Sequence, residues 1–143
     1  MRRPGGWIVL AALALLAGCG DSEAGQRGMH QISKSYAFTV NADPSPPHAR
    51  EPILYTVTVL DRKTRQLIEG GEGQIFATSR DGANAYDGLE AGREIGTYYA
   101  NLTFVTSGDW AMGIRFRRDS THKLERAPDW MQTVLAARDP GAR

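Results

Sequence analysis

The side chains able to hold a soft metal are the methionines and histidines. Met29 and His30 adjoin, His48 follows a proline-rich stretch, and Met112, His122 and Met131 lie further along. Thioether sulfur and imidazole nitrogen suit Cu(I), so convergence of Met29, His30 and His48 would make a copper site. Against that, Met112 alternates with Trp110 and Ile114 and reads as core, Met131 sits on an apolar stripe, and the histidines are scattered over loops. The sequence assigns no metal and no cofactor, and keeps Met29, His30 and His48 only as candidate ligands. Asp81, Asn84, Asp87 and Glu90 recur every third residue through a glycine-containing loop. Their spacing departs from the alternate ligands and sixth-position glycine of an EF-hand, so they read as solvated loop side chains, three of them acids. No Gly-x-Ser-x-Gly elbow and no His-Glu-x-x-His pair is present, so no catalytic residue is assigned and the chain reads as non-enzymatic.

A second chemistry is that of contact. Arg115 and Arg117 fall on the outward face of a strand, and Arg118, Lys123 and Arg126 follow. Such a basic face can engage an acidic partner or lipid headgroups, or guard a sheet edge against aggregation. Beyond it, Pro128 and Asp129 suit the first turn of a helix. Trp130, Met131, Val134 and Leu135 then form one apolar stripe at i, i+4 spacing, ended by Pro140 and Gly141. Arg115, Arg117, Arg118, Trp130, Met131, Val134 and Leu135 are therefore the candidate partner-binding residues. The 17 Lys and Arg nearly balance the 16 Asp and Glu. That balance argues against a nucleic-acid partner, which calls for a basic excess.

These residues need a scaffold, and the chain of 143 residues is long enough for one domain. Its first 18 residues carry Arg2 and Arg3, the apolar run Trp7 to Leu16, and then Ala17 and Gly18. The apolar run is about half of the ~20 residues of a spanning helix, so residues 1–18 read as a signal peptide. Cys19 is the sole cysteine, which excludes an intramolecular disulfide. Leu16-Ala17-Gly18-Cys19 resembles the lipobox of bacterial lipoproteins. That resemblance implies cleavage before Cys19, acylation of its thiol and new amine, and a membrane anchor at the periplasmic face of the inner or outer membrane. Residues 19–31 read as a flexible polar tether.

Residues 32–118 carry alternating patterns. Tyr36, Phe38 and Val40 form one face, Ile53, Tyr55, Val57 and Val59 another, and Gln74 to Ser79 a further strand. Ala83 to Glu94 shows no clean period and reads as a long loop or bent edge segment. Tyr98, Ala100, Leu102 and Phe104, then Trp110, Met112, Ile114 and Phe116, define two strands with aromatic faces. Gly108 between them can supply the positive φ of a short turn, so the pair is expected to form an antiparallel hairpin. Short strands with turn signals and no helix between them indicate an all-β antiparallel sandwich. Residues 119–143 read as a polar link and a short amphipathic helix.

Asp61 through Gly70, Gly96-Thr97-Tyr98-Tyr99-Ala100 and Gly108-Asp109-Trp110 resemble the pattern of the YtkA-like and FixH-like domains. That resemblance spans roughly Tyr36 to Phe116 and implies an immunoglobulin-like β-sandwich outside the cytoplasmic membrane. It departs from the family in one respect, since Gln74 to Ala91 contains neither Met nor His. The expected function is that of a lipid-anchored, non-catalytic envelope module contacting another protein. The alternatives are copper handling connected with respiratory-oxidase assembly, and small-ligand binding at a sandwich end.

Overall fold

Alternation decides this structure. In a strand, every second side chain faces the same way, so a run such as Ile53-x-Tyr55-x-Val57-x-Val59 buries one face and leaves the other free. The computed structural model describes residues 28–141. In it the chain forms ten strands: β1 (Met29–Ile32), β2 (Tyr36–Asp43), β3 (Pro52–Asp61), β4 (Glu72–Ser79), β5 (Asn84–Gly88), β6 (Glu90–Ala91), β7 (Thr97–Thr103), β8 (Gly108–Arg117), β9 (Glu125–Arg126) and β10 (Trp130–Val134). They build two antiparallel sheets, ordered β1-β2-β3-β7-β6 and β10-β8-β4-β5, with β9 also on β8.

The core lies between the sheets and takes the residues that alternation nominates. Phe38, Ile53, Tyr55, Val57, Val59, Tyr98, Ala100 and Leu102 come from the first sheet; Ile75, Trp110, Met112, Ile114 and Phe116 come from the second. Phe116 reaches across and meets Tyr36, Phe38 and Tyr98 edge-on, with ring centroids 5.0, 5.9 and 5.5 Å away. Such aromatic pairs add stabilisation beyond the area they bury. Trp110 meets Phe104 at 5.0 Å and donates its indole N–H to the Thr106 carbonyl at 3.1 Å.

Three expectations are corrected. The strands flanking Gly108 do not pair with each other: β7 pairs with β3 and β6, and β8 with β4, β9 and β10. The link between them is a crossing from sheet to sheet. It has the turn glycine a hairpin would have, with φ of 115° at Gly108, but it lets the two aromatic faces pack against each other. A hairpin would have laid them side by side in one sheet.

The expected C-terminal helix is strand β10, and no helix occurs among the described residues. Trp130 and Val134 are four residues apart, a spacing that suits a helical stripe and a strand face equally. The two point inward, at 8% and 2% exposure, while Met131 and Leu135 point outward. The unpaired edge of β8 decides for the strand. Pro128 sits in a bulge: three residues between Arg126 and Trp130 face only two between their partners Arg115 and Met112. A bulge accommodates proline because the ladder is already interrupted there.

Residues 29–31, read as tether, belong to β1 and pair with Phe38 to Val40. Of the two readings of the aperiodic run after Ala83, the structure has the bent edge segment, which changes sheet with β5 on β4 and β6 on β7. Each piece is too short to show a period.

Candidate interaction face

The outer face of the second sheet follows from the inner one. With Ile75 and Ala77 turned into the core, Gln74, Phe76 and Thr78 must face out. Register brings Tyr86 opposite Phe76 and Phe76 opposite Gly113. In the next row, Asn84, Thr78, Ala111 and Met131 follow one another across the four strands. A methyl group at Gly113 would overlap the end of the Phe76 ring, so the missing side chain lets that ring lie flat across β8.

Two guanidinium groups hold the ring there. The Arg115 carbon lies 5.0 Å from the Phe76 centroid and that of Arg126 lies 4.9 Å from it. Both distances are within the range of cation–π attraction. Arg126 is committed further, since its Nη2 donates to both oxygens of Asp129 at 2.8 Å. Arg115 has no carboxylate at ion-pair distance among the described residues. Two shallow depressions run along this face. One, of about 270 Å³, is lined by Gln74, Phe76, Tyr86 and Arg115 among others. The other, of about 280 Å³, lies by Arg80, Ala111 and Met131, and Thr78 borders both. Tyr86 is 69% exposed and Met131 61%.

The other expected contact residues divide. Arg117 is tied to Glu72 at 2.7 Å and Arg118 to Asp61. Trp130 and Val134 are core, while Leu135 is exposed and bridges to His48. Of the seven, Arg115 and Met131 are thus exposed, free of ion pairs and on the same face. Sequence reading missed Phe76 and Tyr86. The signal for Phe76 was present, because an aromatic fell on the polar parity of β4; Tyr86 lay in the aperiodic run.

The candidate metal ligands do not form a set. Met29 and His30 are consecutive on β1 and so point to opposite sides. The His30 ring shares a hydrogen bond with the Thr39 hydroxyl at 3.2 Å, and His48 Nδ1 donates to the Ala136 carbonyl at 2.9 Å. Among the described residues no three His, Cys, Asp or Glu side chains are grouped as a metal site. Two of the oxygen-bearing residues after Arg80 have separate tasks: the Asp87 carboxylate accepts the Asn101 N–H at 2.8 Å, and the Asn84 amide oxygen accepts the Thr78 hydroxyl at 3.0 Å. Cys19 lies outside the described residues, and none of the helices a membrane span would need occurs among them.

At the pole where β3 and β8 end, carboxylates fasten loops. Burial pushes the Glu125 carboxyl up, but hydrogen bonds from Ser35 and Ser33 outweigh this and hold it below the usual carboxylate range. Asp61 is also held low, chiefly by the backbone N–H groups of Thr64 and Lys63. No family model, curated protein or solved structure matches the chain.

Proposed function

We propose that this protein is a lipid-anchored, non-catalytic module of the bacterial cell envelope that contacts a partner protein through the outer face of its second sheet. The observation that carries the reading is the composition of that face. Phe76, Tyr86, Met131 and two arginines stand together where a solvated sheet would carry threonine and charge. Aromatic residues, Met and Arg are the residue types enriched at protein interfaces and among their hot spots. The Arg115 guanidinium is stacked, planar and without an ion-pair partner among the described residues, ready to receive a carboxylate bidentately.

The anchor rests on the lipobox around Cys19. An immunoglobulin-like assignment is supported by strand order, since β2-β3-β7-β6 against β10-β8-β4 follows the four-on-three order of constant-type domains, with β5 added at the edge. The test is recovery from detergent-solubilised membranes. Wild-type protein is expected to bring a stoichiometric partner with it, and a Tyr86→Ala/Arg115→Gln variant to lose it at unchanged thermal stability. A partner retained in full by that variant would contradict the reading. The anchor has its own test: fatty-acid labelling is expected on wild type and absent from Cys19→Ser.

A further inference from the structure

The pole at which β2 begins and β3 and β8 end carries a cleft of about 290 Å³, bordered by Asp61, Lys63, Arg118, His122, Lys123 and Glu125. Its two carboxylates are already occupied. Glu125 accepts the Ser33 hydroxyl at 2.8 Å, the Ser35 N–H at 2.9 Å and the Ser35 hydroxyl at 2.6 Å. Asp61 accepts the N–H groups of Lys63 and Thr64 at 2.8 and 3.0 Å, and one Nη of Arg118.

Its cations are not occupied in the same way. Lys63 and Lys123 are exposed and have no carboxylate at ion-pair distance among the described residues. Arg118 uses Nη2 on Asp61, which leaves donors of its guanidinium to spare. His122 binds Asp119 through Nδ1 at 2.8 Å, leaving Nε2 without a partner among the described residues. One carboxylate, Asp61, fixes both Arg118 and the turn that carries Lys63. The cleft is thus a partly pre-organised set of donors whose acceptors have been used up internally.

We propose that this cleft binds a phosphate-class oxyanion. Lys63, Arg118 and Lys123 line it against the carboxylates of Asp61 and Glu125, with Asp119 engaged by Thr121 and His122, and the donors come from two separate loops, 61–63 and 118–123. Donors arriving from several directions suit a tetrahedral anion, whereas a planar carboxylate is satisfied by a single guanidinium fork. The volume leaves space for part of whatever carries the phosphate. A soluble phosphate ester and a phospholipid headgroup share this chemistry. The site does not depend on the protein-contact face, which lies on the outer surface of the second sheet.

The test uses the full chain, titrated calorimetrically with inorganic phosphate at constant ionic strength and sedimented with phosphatidylglycerol or phosphatidylcholine vesicles. Saturable binding of phosphate, of phosphatidylglycerol vesicles, or of both is expected. Lys63→Gln/Lys123→Gln should weaken it about tenfold or more, as loss of charge-assisted hydrogen bonds implies. Arg50→Gln, a loss of charge at the opposite pole where β3 begins, should leave it unchanged. Binding of phosphate alone assigns a soluble ester, and sedimentation with phosphatidylglycerol vesicles beyond that with phosphatidylcholine vesicles, which an acyl anchor would enter equally, assigns a headgroup. No saturable response to either probe, or a response that the double lysine variant retains, overturns the proposal.

Discussion

The two outer faces of the sandwich share one backbone plan and carry different chemistry. On the first sheet, Thr39, Thr58 and Thr97 lie side by side across three strands, and so do Asn41, Thr56 and Tyr99. Threonine hydroxyls on β-branched stems, with polar groups such as the Asn41 amide beside them, are what a sheet shows to water when its other face is buried. On the second sheet the same outward parity includes Phe76, Tyr86, Ala111, Gly113, Arg115 and Met131 beside the polar Gln74, Thr78, Asn84 and Thr133. Burial determines which positions face out but not what occupies them. The first sheet's face also exposes Leu54 and Tyr99, each about a third, but among the described residues no guanidinium is stacked on either. The second sheet's face keeps an aromatic ring flat across a glycine under two guanidiniums, and that arrangement is the basis of the proposed contact.

Substitutions can separate what lies beneath the second face from what lies on it. Trp110 is fully buried, packs on Phe104 and donates to Thr106, so Trp110→Ala should cost about 3–5 kcal/mol in denaturant unfolding. Gly113→Ala works at the boundary. Its methyl would meet Phe76, and relieving that overlap should cost about 1–3 kcal/mol and lift the ring from the face, detectable as a change in the Phe76 ring resonances.

Glu125 connects the sheets by accepting three donors from the β1–β2 turn, and Glu125→Gln should cost about 1 kcal/mol at neutral pH. Its folded-state pKa is depressed. The stability it contributes is therefore present above the ordinary carboxylate pKa and is lost as pH falls through the lower folded value. Acid titration of unfolding should show a shallower loss of stability in that range for Glu125→Gln than for wild type. The smallest effect on stability belongs to Tyr86→Ala, expected within about 0.5 kcal/mol of wild type as for an exposed position. Matched against Thr58→Ala on the first sheet, it should remove partner binding where the threonine variant does not.

Much of the core was legible from alternation alone. The inward sets from Tyr36 to Val40, Ile53 to Val59, Tyr98 to Phe104 and Trp110 to Phe116 are all buried. Pairing was less legible, because period two states which side chains share a face but not which strand lies alongside. The segments before and after Gly108 therefore read as a hairpin, although they belong to different sheets. Trp130 to Leu135 misled for a related reason: six residues do not separate a spacing of four on a helix from two steps of two on a strand. Of the contact face, Arg115 was legible from the parity of β8. Phe76 required asking why an aromatic sat among polar outward positions, and Tyr86 depended on a bend at Gly88 and Leu89 that no local period announces.

The most direct test of the contact face places a photo-reactive phenylalanine analogue at position 86 on the second sheet and, separately, at position 58 on the first. Irradiation of intact cells should yield a discrete protein adduct from position 86 and none from position 58. Equal adducts from both positions, or an adduct from position 58 alone, would show that the aromatic and arginine face is not where this module meets its partner.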